Sequence, residues 1–105
     1  MMPAEALFIA LCALPGVEQS RSRFGKARNV AWRVNGREFA HLHADDLLDL
    51  RLPPAAQKRL RTDPRAHFRG SASEWLEFEF HSEQDVAEVM QLATKAWAAA
   101  KERAK

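Results

Sequence analysis

The chain has 105 residues, of which 47% are hydrophobic, and this length and composition fit one packed domain and exclude wholesale disorder. Sixteen basic and fourteen acidic residues leave a net charge of +2, so attraction to nucleic acid must come from local clusters of charge. The single cysteine, Cys12, excludes an intrachain disulfide and fits a reducing cytoplasm, which is the localisation we expect.

The first element is an apolar segment, with Pro3 and Glu5 at positions that suit the start of a helix. Residues 6–14 are all apolar, yet this segment is far too short to span a bilayer, which needs about 20 residues. It also lacks the basic region of a signal peptide. We therefore expect a buried amphipathic helix that ends at Pro15-Gly16, and no membrane partner.

A hairpin is predicted in the first half of the chain. Residues 17–24 predict a strand, and the alternation over residues 30–34 predicts a second one. The dipeptide Asn35-Gly36 then predicts a two-residue type I′ turn, because both residues tolerate a positive φ.

This turn predicts a register for the hairpin. Trp32 lies opposite Phe39, and His41 follows on the same apolar face, so His41 is expected in the core. Arg33 lies opposite Glu38 on the other face, as a cross-strand ion pair.

The second half of the chain alternates strands with helices. Its elements are a strand at 48–52, a short helix at 54–62, a short strand at 66–69, a strand at 75–80 and a final helix capped by Ser82. The order α-β-β-β-β-α-β-β-α predicts a two-layer α+β fold. We expect one domain over residues 1–105, with an antiparallel sheet of five to six strands and helices packed on one face.

The histidines are the first candidates for chemistry. His41 and His43 lie two apart on one strand and therefore share a face, where they could hold a metal with Asp45 or His67. A small-ligand or metal-dependent enzyme that uses these residues is one hypothesis. The spacing matches no zinc motif, however, and the hairpin register favours a structural role for His41.

Carboxylates give a weaker signal. Glu77 and Glu79 alternate on one strand face, a pattern typical of a solvated sheet surface. Asp49 alternates with leucines, which places it on the outward face of its strand, and it is interpreted as a turn residue rather than a metal ligand. No nucleophile motif or cofactor motif is present. The sequence therefore favours a protein that is not an enzyme, and we expect no cofactor.

Basic residues concentrate in two runs. If the runs converge in space they form a phosphate-binding surface, and if they do not they are separate solvated faces. The candidates are Arg21, Arg23, Lys26 and Arg28 in the first run, and Lys58, Arg59, Arg61 and Arg65 in the second.

Trp75 offers a third hypothesis. It starts a strand on the outward face, so an open sheet face around it could bind a second copy or another protein.

The run GREFAHLH at residues 36–43, with LLDL at 47–50 and Leu52-Pro53, resembles the luciferase-domain family of small bacterial proteins. The resemblance spans about residues 14–97. Its name implies bioluminescence, but the residues show no signature of a flavin or coelenterazine pocket. More distantly, the element order is similar to the MmcQ/YjbR group, whose double-wing fold implies DNA binding. The leading hypothesis is a non-enzymatic binding module with nucleic acid as its ligand.

Overall fold

The structure is a computed structural model that describes residues 2–21, 30–70 and 72–103. Its elements in chain order are α1 (Pro3–Cys12), β1 (Val17–Arg21), β2 (Val30–Val34), β3 (Arg37–Ala44), β4 (Leu47–Arg51), α2 (Pro54–Gln57), a 3₁₀ turn (Lys58–Leu60), β5 (Ala66–Phe68), β6 (Trp75–Glu79) and α3 (Glu83–Arg103). The predicted order of helices and strands is confirmed. The predicted helix over 54–62 is split into α2 and the 3₁₀ turn.

The six described strands form one antiparallel sheet in the order β1-β2-β3-β4-β6-β5. The predicted α+β class is therefore confirmed. Because β6 pairs with β4, the short strand β5 lies at one edge of the sheet and β1 at the other.

Alternation along the strands decides which face becomes the core. Leu48 and Leu50 on β4 pair with Phe78 and Leu76 on β6, and all four are at most 1% exposed. Helices α1 and α3 cover this face with their own apolar side chains, which include Leu7, Leu11, Val89, Ala93 and Ala96. No helix in the described part of the chain is long and apolar enough to cross a membrane.

The hairpin between β2 and β3 has the predicted turn. Asn35 has a φ of 52° and Gly36 a φ of 78°, the left-handed conformation that a type I′ turn requires. Next to this turn the predicted register is confirmed, since Arg33 pairs with Glu38 and their side chains form an ion pair of 3.1 Å.

Beyond that pair the predicted register is wrong. A β-bulge between Trp32 and Arg33 places Trp32 opposite Ala40, and His41 opposite Ala31. Phe39 is the extra residue, and it stays fully buried. Because one residue is added to β3, His41 moves from the apolar face to the opposite face of the sheet.

Gln57 connects α2 to the sheet. This buried side chain donates hydrogen bonds from Nε2 to the carbonyl oxygens of Leu52 and Ser73, at 2.8 and 2.9 Å. It therefore fixes the position of the short helix and the adjoining 3₁₀ turn, which carry much of the second basic run.

We expect Gln57→Met to lower the free energy of unfolding by about 2 kcal/mol, because two carbonyl groups lose a buried donor. Urea denaturation followed by circular dichroism measures this change. Gln91→Met is the matched control: Gln91 is exposed on α3, so its loss should change stability by less than about 0.5 kcal/mol. Equal effects of the two substitutions would contradict the role of Gln57.

Candidate functional site

A row of four ionisable side chains crosses the sheet on the face opposite the helices. His41 on β3 pairs with Asp49 on β4, Asp49 pairs with Glu77 on β6, and Glu77 pairs with His67 on β5. Partners in register point to the same face, so the row is continuous. We call this surface the polar face. Two carboxylates lie side by side at its centre, which is unfavourable unless cations accompany them.

His41 supplies one of these cations. Its Nδ1 lies 3.0 Å from Oε2 of Glu38, and its Nε2 lies 2.5 Å from Oδ2 of Asp49. The ring is 5% exposed and packs against the indole of Trp75, with ring centroids 4.9 Å apart. With a carboxylate at each nitrogen, the protonated ring can donate two hydrogen bonds.

The pKa of His41 follows from these contacts. Burial of the ring lowers its pKa, but the hydrogen bonds to Asp49 and Glu38, together with the negative charges of both carboxylates, outweigh burial and raise the pKa to about 9. His41 is therefore an imidazolium at neutral pH. The carboxylates of Glu38 and Asp49 hold the charged ring in place, and neither of its nitrogens is open to a metal.

Asp49 lies in the middle of β4 and is fully buried, so its interpretation as a turn residue is wrong. Its Oδ2 contacts His41, lies 3.0 Å from Nη2 of Arg69 and 3.4 Å from Nδ1 of His43. Its Oδ1 is buried without a hydrogen-bond partner in the structure. A buried carboxylate oxygen with no donor is costly, and folded proteins contain few such atoms.

The other predicted ligands do not form one set. His43 is half exposed and stands between Asp49 and Glu77, 3.8 Å from Oε2 of the latter. His67 contacts Glu79 through Nε2. Asp45 lies in the turn between β3 and β4 and lines a different depression, beside α1. The structure thus brings His41 and His43 together around Asp49, and it directs the ring of His67 elsewhere.

The described members of the two basic runs lie towards opposite edges of the sheet. Arg21 ends β1 at one edge, whereas Lys58, Arg59 and Arg61 lie in the 3₁₀ turn and next to it, close to β5 at the other edge. The candidates Arg23, Lys26 and Arg28 fall outside the described residues. The described members of the two runs are therefore spread over both edges.

Arg65 forms ion pairs with carboxylates of the protein itself. Its guanidinium contacts Asp63, Asp85 and Glu88, and it lies over the ring of Phe78 at 4.9 Å from the centroid. These contacts raise the pKa of Arg65, with the hydrogen bond to Asp63 as the largest cause. Its charge links the start of β5 to α3.

Two of the remaining cations of the second run lie beside an exposed aromatic ring, and Arg59 follows Lys58 in the chain. Phe68, 41% exposed at the end of β5, lines an open depression of about 510 Å³ together with Lys58 and Arg61. Lys58, Arg59 and Arg61 are exposed, and within the described residues no carboxylate lies within ion-pair distance of them. We call these three cations and Phe68 the basic-aromatic surface.

Trp75, the candidate for an open face, is half-buried. Its ring contacts His41 and lies 6.0 Å from the guanidinium carbon of Arg51. It forms part of the cover over His41, and a role in binding another protein stays a prediction.

A family model described as the Luciferase domain matches residues 36–96, more than half of the chain. The chain belongs to the luciferase-domain family. Searches of curated proteins and of solved structures found no match. The likeness to the MmcQ/YjbR group therefore stays a prediction. Within this luciferase-domain protein, the matched range contains the whole polar-face row and the basic-aromatic surface.

Sequence reasoning missed three residues of the polar face: Asp49, Glu77 and Arg69. The alternation in β4 and β6 correctly placed Asp49 and Glu77 on the outward face. What it lacked was the pairing of β4 with β6, which makes the two carboxylates neighbours. An aspartate between two leucines of a buried strand is the signal that could have found the site.

We expect the ring of His41 to titrate with a pKa of about 9. Long-range ¹H–¹⁵N NMR of the histidine rings, in buffer containing a chelator, measures this directly. Glu38→Gln keeps a side chain of the same shape but removes one charge at Nδ1, and should lower the measured value. A His41 ring that deprotonates near 6.5 would contradict the double carboxylate contact.

Protein stability should fall as the pH rises above about 6.5. Because folding raises the pKa of His41, the folded protein holds this proton more tightly than the unfolded chain does. The stabilisation is fully present below about pH 6.5 and is lost as the pH passes about 9, up to about 3 kcal/mol in total. Urea unfolding at several pH values tests this, and the decline should be smaller in Glu38→Gln. A flat or rising profile would refute it.

Proposed function

We propose that this luciferase-domain protein is a small, non-enzymatic binding module whose ligand is single-stranded nucleic acid, held at the basic-aromatic surface. The observation that supports this proposal is an exposed phenyl ring, Phe68, beside cations that no carboxylate of the described chain neutralises.

The distribution of ion pairs supports this choice of surface. Arg33 is paired with Glu38, Arg51 with Glu74 and Arg65 with three carboxylates, so a phosphate would have to compete for each of them. Lys58, Arg59 and Arg61 require no such exchange. Phosphate contacts with these residues release counterions from the nucleic acid, which is the main source of affinity in non-specific binding.

Phe68 favours a single strand over a duplex. Its ring is presented at the sheet edge, where the flat face of a base can stack on it, and stacking on an aromatic ring contributes about 1–3 kcal/mol per base. A base in a duplex is already stacked between its neighbours. Lys58 and Arg61 line the same depression as Phe68, which supports phosphate contacts beside a stacked base.

We expect a single-stranded oligonucleotide to bind with a Kd of roughly 10⁻⁴–10⁻⁶ M at physiological salt, by fluorescence anisotropy. Three phosphate contacts to a single strand predict a slope of about −2 for the logarithm of affinity against the logarithm of salt. Between 50 and 200 mM salt the affinity should thus fall about 16- to 20-fold. The double substitution Arg59→Glu and Arg61→Glu should abolish binding, because it replaces attraction by repulsion.

Matched variants separate this surface from general charge. Lys95→Glu with Lys101→Glu makes the same change in net charge on α3, and it should leave much of the affinity intact. Phe68→Ala should weaken binding about 5- to 150-fold at unchanged salt slope, since stacking is not electrostatic. Salt-insensitive binding, no binding, or equal losses in both charge variants would refute the proposal. Equally tight binding of poly-glutamate would also refute it.

A further inference from the structure

The polar face carries a cluster of ionisable side chains that shares no residue with the basic-aromatic surface. Asp49 and Glu77 are direct neighbours on β4 and β6, so two carboxylates of like charge are held together by the register of the sheet. Such a pair is unfavourable by itself. Any cation that bridges it is favoured, and the structure offers a third potential ligand beside the pair.

We propose that His43, Asp49 and Glu77 form a binding site for a divalent metal cation of the zinc type. Nδ1 of His43 lies 3.4 Å from Oδ2 of Asp49 and 3.8 Å from Oε2 of Glu77. The three ligand atoms all lie within 4.8 Å of one another. Ligands bound at about 2.0–2.1 Å in tetrahedral geometry are about 3.4 Å apart, so two of these spacings fit zinc with little movement.

A second observation points to the same ligand. Asp49 is fully buried, and its Oδ1 has no hydrogen-bond partner in the structure. A folded protein leaves few buried carboxylate oxygens unpaired, and a bound cation, or a water molecule on it, would complete the coordination of this one. His41 binds Oδ2 of the same carboxylate from the side, an outer contact of the kind that orients metal ligands.

The ligand types select the metal. One imidazole nitrogen and two carboxylate oxygens suit zinc, whereas calcium and magnesium prefer oxygen ligands alone. Three protein ligands also leave a fourth tetrahedral position for water or for a small anionic group.

Arg69 lies against the same two carboxylates. Its Nη2 lies 3.0 Å from Oδ2 of Asp49, and its Nε lies 4.0 Å from Oε1 of Glu77. The guanidinium therefore bridges the two carboxylates as an internal cation. The Arg69 side chain is 42% exposed and is followed by Gly70, so it can swing away without moving a strand. Metal and Arg69 therefore compete for Oδ2 of Asp49 and for the charge of the Glu77 carboxylate.

Because of this competition, substitutions at the ligands and at Arg69 should change the affinity for zinc in opposite directions. Isothermal titration of the full chain with ZnCl₂ should show one site, and His43→Ala or Glu77→Gln should each weaken it at least about tenfold. Arg69→Gln should raise the affinity for zinc roughly threefold, because the metal no longer has to displace a half-exposed ion pair. A merely structural arginine would give no gain in affinity when it is removed.

Controls distinguish this site from other histidines. His67 and His81 both contact Glu79, so the double variant His67→Ala with His81→Ala removes the exposed imidazoles that meet at that carboxylate. It should bind zinc as the unmodified protein does. Ring ¹⁵N NMR should show a zinc-dependent shift at Nδ1 of His43.

Four results would overturn the proposal. They are no binding at millimolar zinc, unchanged affinity in both ligand variants, loss of the site in the His67 and His81 double variant, and weaker binding in Arg69→Gln. Since His43 is half exposed, His43→Ala is expected to fold, and Glu77→Gln gives a second test in which the shape of the side chain is retained.

Discussion

The β-bulge opposite Trp32 is the constraint on which the polar face depends. In a regular strand, residues three apart point to opposite faces. The extra residue Phe39 removes this alternation, so Glu38 and His41 both lie on the face away from the helices while Phe39 stays buried. Without the bulge, His41 would enter the core beside Trp32, and Asp49 would lose its imidazolium partner.

Charge balance then explains why such a face can exist. Glu38, Asp49 and Glu77 bring three negative charges. Arg33, His41 and Arg69 bring three positive charges, and each cation contacts at least one of the carboxylates. The ion pairs are Arg33–Glu38, His41–Glu38, His41–Asp49, Arg69–Asp49 and Arg69–Glu77. Removing one partner from such a network leaves a buried charge, which costs several kcal/mol. The side chains of this set therefore stabilise one another. Arg69 is the most exposed of them, so its ion pairs contribute least. This set is fixed at the buried His41 end and half exposed at the Arg69 end, which is the arrangement that the proposed cation site requires.

Local sequence patterns predicted most of the architecture. Alternation assigned both faces of the strands that contain Leu50 and Phe78, and Asn35-Gly36 predicted the turn and the Arg33–Glu38 pair that follows it. The bulge could not be predicted in this way, because it depends on how Phe39 and Ala40 fit together against the helices. Two adjacent apolar residues in an otherwise alternating strand are its only trace. The position of His41 was therefore missed because of the hairpin register, although alternation had placed Asp49 and Glu77 on the correct face.

The order of the strands accounts for the rest. Strand β6 inserts between β4 and β5, and this non-local pairing makes Asp49 and Glu77 neighbours while moving β5 to the edge. At that edge two consecutive residues serve different surfaces: Phe68 pairs with Leu76 on the helix side, and Arg69 reaches Asp49 on the polar face. No local sequence pattern distinguishes either position. Their roles arise because an edge strand has one unpaired side, where a ring can remain exposed and an arginine can move.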